Sequence, residues 1–115
     1  MKAAAGSMFT DDLQRARACR VLLSTMRLDR LWTDDGPGPQ ARAMLRSEVL
    51  TDGERAMLRA ALDVWDGSGG LQLAEAIAKL DGVPMEALCS LLVAMQLGSG
   101  AVEDWIARTM EKVEV

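Results

Sequence analysis

The sequence predicts an all-α protein: a compact single-domain bundle of five to six helices around a central apolar helix at about residues 84–97. Three observations carry this. Half of the 115 residues are apolar. They are mostly Ala, Leu, Val and Met, and the abundance of Ala, Leu and Met, with Arg and Glu, favours helix over sheet. Aromatics are limited to Phe9, Trp32, Trp65 and Trp105. Apolar positions also recur at three- and four-residue spacing between short Gly- and Pro-rich breaks.

Residues 1–9 read as a disordered or tag-derived N-terminus, and 10–115 as one helical domain. Met1–Ser7 has one lysine and no apolar stretch of the kind a secretory signal needs, and Gly6-Ser7-Met8 has the look of a tag remnant. The first helix is expected from about Thr10 to Trp32. Thr10 can cap it, with Asp11 and Asp12 favoured by the dipole of its first turn. Ala18, Val21, Leu22, Thr25, Leu28 and Trp32 share one face. Cys19, Leu23 and Met26 form a second apolar stripe beside it, so this helix is either central or paired with a second chain.

The segment Thr33-Asp34-Asp35-Gly36-Pro37-Gly38-Pro39 breaks the helix. A short helix over about 40–48 follows, with Ala41, Met44 and Leu45 as its contacts. Thr51-Asp52-Gly53-Glu54 matches a capping box, with Leu50 placed to staple onto it. The helix it starts places Leu58, Ala61, Leu62 and Trp65 on one face, and Arg59 can pair with Asp63. Asp66-Gly67-Ser68-Gly69-Gly70 ends it. A helix over 71–80 is expected to bury Leu73, Ala74, Ile77 and Leu80, with Glu75 and Lys79 as an exposed pair. Pro84 suits the first turn of the next helix. From Ala87 to Leu97 that helix carries no charge, so it is expected to be the buried spine, capped by Gly98. The last helix, 101–112, presents Val102, Trp105, Ile106, Thr109 and Val113.

Several function classes fall away. There is no histidine, which removes Ser-His and Cys-His nucleophile pairs and His-based zinc sites. Cys19 and Cys89 both sit in helical, apolar stretches and are expected to be reduced core thiols. Residues 1–49 carry a formal charge of +2 and residues 50–115 one of −6. The acidic half disfavours nucleic acid.

Two local resemblances stand out. With Asp66 at loop position 3, Ser68, Gly69, Leu71 and Glu75 fall at 5, 6, 8 and 12 of an EF-hand loop, but Val64 stands where the first carboxylate belongs. Residues 71–80 and 84–97 have the spacing of a helix-turn-helix, yet the second helix lacks the Arg, Lys and Asn that read DNA.

The chain is therefore expected to be a non-enzymatic, cytoplasmic helical protein–protein interaction module, without catalytic residues, cofactor or metal. The expected partner is another protein or a second copy, with a homodimer first and no membrane. Its interface is expected at Cys19, Leu23 and Met26, with Arg20, Arg27 and Arg30 beside them. The alternatives are a helix-turn-helix DNA-binding regulator and a degenerate EF-hand-like calcium-binding pair.

Overall fold

Six α-helices and one two-residue-per-strand hairpin make up the computed structural model, which describes residues 11–114. The expectations for residues 1–9 and for a Thr10 cap lie outside the described residues.

Helix α1 spans Asp12–Ser24, and its N-cap is Asp11, whose carboxylate accepts from Gln14 N–H at 2.8 Å. It ends eight residues earlier than the apolar spacing suggests. The cause is local. Ser24 and Thr25 hydroxyls donate back to the carbonyls of Val21 and Leu22, and such bonding competes with helix propagation. Leu28 N–H then reaches Leu23 O and Arg27 N–H reaches Ser24 O, the paired bonds of a Schellman turn. Arg27 occupies the left-handed position at φ 62°, where glycine is usual, at a cost of roughly 1–2 kcal/mol. Leu28 and Trp32 are buried as expected, and Leu31 with them, but from a turn, a 3₁₀ segment at Asp29–Leu31 and strand β1 at Trp32–Thr33 rather than from a helix.

Strand β2, Gly36–Pro37, pairs antiparallel with β1. Gly36 sits at φ 125°, and a Cβ there would lie 2.8 Å from Trp65 Cζ2. The hairpin thus packs its backbone on Trp65, while Trp32 meets the same indole edge to face, with centroids 6.2 Å apart. Helix α2, Ala41–Leu45, is short and leaves Arg46 at its C-cap. Helix α3, Asp52–Asp66, opens with the expected reciprocal capping box between Thr51 and Glu54 and closes on Gly67 in the left-handed region. Helices α4 (Leu73–Lys79), α5 (Gly82–Leu97) and α6 (Ser99–Glu114) complete the chain.

The all-α bundle is as expected, but its centre is not. Helix α1 packs against α3, α6 and the hairpin, whereas α5 lies mainly on α6 and touches α1 sparsely. In α1, Cys19, Leu22 and Leu23 are fully buried; in α3, so are Ala56, Met57, Leu58, Ala61 and Leu62. Helix α5 buries only Ala87, Leu88, Leu91 and Ala94, so the segment 84–97 is an outer helix and not the spine. Helix α4 likewise buries Ala76, with Leu80 behind it. Leu73 and Ile77 face outward at 83% and 74% exposure. The Glu75–Lys79 pair is replaced by Arg59–Glu75 and Lys79–Asp52 bridges.

Leu22→Ala should therefore cost about 2–5 kcal/mol of unfolding free energy. Ile77→Ala, on a side chain already in solvent, should stay within about 0.5 kcal/mol. Denaturant titration of both variants checks the assignment of core and surface.

Candidate interaction surfaces

Helix α5 is apolar on two faces, and among the described residues only one of them is packed against a partner. Ala87, Leu88, Leu91 and Ala94 recur at i, i+1, i+4 and i+7 and enter the core. On the opposite arc Cys89, Leu92, Val93, Gln96 and Leu97 face outward. Val93 is 60% and Leu97 74% exposed. Gln96 is the one polar side chain of this stripe, which carries no charge. Its nearest charge along the helix is Glu86, bridged to Lys112 of α6 at 3.2 Å. Inside, Ser90 anchors the helix by accepting from Trp105 Nε1 at 2.9 Å. A helix apolar on so wide an arc leaves its outer stripe costly in water unless something covers it.

The interface expected on the first helix is not a surface. Cys19 and Leu23 have no solvent exposure, and Met26 is half-buried against the core. The second stripe on α1 exists because α3 and α6 flank the helix on two sides, so both stripes are consumed within one chain. Arg20, Arg27 and Arg30 are exposed as expected. Arg20 and Arg27 border a groove of about 640 Å³ between α1 and α6, floored by Val21, Ile106, Met110 and Val113. Arg30 instead donates to Arg27 O. The near end of the groove is clasped by Glu103, which accepts from Arg17 Nη1 at 2.8 Å, Arg17 Nη2 at 3.2 Å and Gln14 Nε2 at 2.7 Å. Those hydrogen bonds, Arg17 first, hold the Glu103 carboxyl below the usual carboxylate range.

The loop with EF-hand spacing has the opposite polarity to a cation site. Asp63 takes its centre, accepting from Gly69 and Gly70 N–H through Oδ1 and from Leu71 N–H through Oδ2, at 2.7–3.0 Å. The backbone therefore aims donors inward, where a cation requires oxygens. Gly69 must be glycine, since a Cβ would fall 1.9 Å from Arg59 O. Asp63 is thus engaged by the loop and not by Arg59, the partner its spacing suggests. Among the described residues no group of three His, Cys, Asp or Glu converges as metal ligands would. The outer face of α5, the second helix of the 71–97 pair, offers no lysine or arginine to a phosphate backbone.

The two thiols differ. Cys19 donates to Ala61 O at 3.4 Å, and burial pushes its pKa from 9.0 up to about 12. Cys89 is exposed, contrary to the expectation that both cysteines fill the core, and its sulfur lies 3.8 Å from that of Met85. Among the described residues no helix is long and apolar enough to cross a membrane. No family model matches this chain, and neither a curated protein nor a solved structure does.

The thiolate is the reactive form, so Ellman's reagent should titrate one thiol per native chain, at Cys89, and two only after unfolding. The native Cys19 thiol keeps its proton where the unfolded one loses it. Its contribution to stability is complete below pH 9.0 and is lost as the pH climbs towards about 12. Rapid native modification of Cys19 would contradict its burial.

Proposed function

We propose that the protein is a non-enzymatic helical interaction module that self-associates through the outer stripe of α5. One observation carries the reading: Cys89, Leu92, Val93 and Leu97 form an uncharged apolar stripe, unpartnered among the described residues, on a helix whose other face is packed into the core. A second copy is the occupant that fits best. Under a two-fold axis the same stripe lies against itself, apolar on apolar, with no charge to desolvate. A hetero-partner would have to bring a matching uncharged stripe of its own. The polar groups suited to chemistry have structural work instead: Asp63 closes a loop, Glu103 clasps α1 to α6, and Cys19 fills the core.

Val93 is solvent-exposed in the single chain, so an aspartate there should leave the fold intact and bury an unpaired charge only in the dimer. Light scattering should give the mass of two chains for wild type at high micromolar concentration and of one chain for Val93→Asp, with unchanged circular dichroism. A wild-type monomer, or a variant that still pairs, would reject this interface.

A further inference from the structure

A second site lies elsewhere on the molecule and does not depend on the α5 stripe. Between α2, α3 and the loop after α3 is a pocket of about 250 Å³, lined by Arg42, Leu45, Arg46, Arg59, Leu62 and Ser68. Three arginines and a serine line this small space, and Asp66 and Glu75, which pair with Arg42 and Arg59, are not among the lining residues. The chain as a whole has a net charge of −4.

The arginines are only loosely satisfied. Arg42 Nη2 donates to Ser68 Oγ at 3.0 Å and to Asp66 Oδ2 at 3.4 Å, with both side chains of the Arg42–Asp66 pair about half exposed. Arg59 Nη1 donates to Gly69 O at 3.3 Å. Arg59 Nε is buried without a hydrogen-bond acceptor, its nearest counter-charge being Glu75 Oε2 at 3.6 Å. Arg46 has neither a hydrogen bond nor an ion pair from its guanidinium among the described residues. The half-exposed Arg42–Asp66 bridge contributes about 0–1 kcal/mol, and the partly buried Arg59–Glu75 bridge is long at 3.6 Å. These contacts leave most of the guanidinium donors without a protein acceptor among the described residues.

We propose that this pocket binds the phosphate group of a small phosphate monoester. Arginine forks match phosphate oxygens two at a time, and such charge-assisted bonds are about twice as strong as neutral ones. A dianion can face all three guanidinium groups and the Ser68 hydroxyl together. The size sets the class. Pockets for drug-sized ligands run about 300–1,000 Å³, so this one takes a phosphoryl group and a small carbon body rather than a nucleotide. Leu45 and Leu62 give one wall an apolar character, which suits the carbon side of an ester better than a bare ion.

Calorimetry on the full chain with phenyl phosphate, inorganic phosphate and sodium chloride at matched ionic strength tests this. Phenyl phosphate should bind at one site per chain, more tightly than inorganic phosphate, and should raise Tm by mass action. Arg46→Gln should weaken it about tenfold or more, the loss of one charge-assisted bond, while leaving the ligand-free Tm unchanged because Arg46 supports nothing else. Arg59→Gln should weaken it too, with some loss of stability from the Gly69 contact. Failure of phenyl phosphate to bind, equal affinity in Arg46→Gln, a Tm shift matched by sodium chloride, or inorganic phosphate binding as tightly would overturn the assignment.

Discussion

The close contact of α1 with α3 is the constraint on which the rest of the structure depends. Cys19 of α1 reaches the backbone carbonyl of Ala61 in α3. A side chain as short as cysteine can do so only if the helices approach closely. Ala61 is itself small and fully buried, and a small residue at the contact permits that approach. Leu22, Leu23, Leu58 and Leu62 then fill the space on either side. With α1 enclosed by α3, the hairpin and α6, every other element becomes a cover for this pair: α6 through the Gln14, Arg17 and Glu103 clasp, the hairpin through Trp32 and Gly36 against Trp65, and α5 at one remove on α6.

Features that depend only on neighbours along the chain are legible in the sequence itself. The capping box at Thr51, the glycine caps at Gly67 and Gly98, and the break at Thr33–Pro39 all follow from residues within a turn of one another. Burial along α3 and of Val102, Trp105, Ile106 and Thr109 in α6 also follows from periodicity. Periodicity misleads where two structures share it. Leu28 and Trp32 continue the stripe of α1, yet a Schellman turn at Arg27, a residue with no preference for that conformation, redirects the chain. Apolarity misleads where it is taken for depth. The run Ala87–Leu97 lacks charge on all sides, which fits a central helix and a surface helix with a spare face equally well. Only the placement of α1, decided by contacts across the chain, separates the two.

The same non-locality hides both candidate sites. The α5 stripe reads as core until the bundle is assembled without it. Arg42 and Arg46 are ordinary charges on a short helix, and Arg59 an ordinary charge on α3, until α2 folds back against α3 and brings them around one pocket. The charge division between the halves of the chain is visible in the sequence. It points to α1, where Arg17 and Arg20 are already bridged to Glu103 and Asp34. The looser arginines lie on α2 and α3. The sequence thus locates the charge but not the place where charge is left over.

That α1 and α3 form the spine, with α5 an outer cover, makes a distinct statement about where the fold opens last. Native-state hydrogen exchange, resolved by residue, measures it directly, since core elements open only with global unfolding and peripheral ones open locally. The slowest amides should lie in the buried parts of α1 and α3, around Cys19–Leu23 and Met57–Leu62. Those of α5, from Leu88 to Ala94, should exchange through a lower-energy opening. If the slowest amides were found in α5 while α1 exchanged by local opening, the segment 84–97 would be the spine after all, and the account of its outer stripe as a free surface would be wrong.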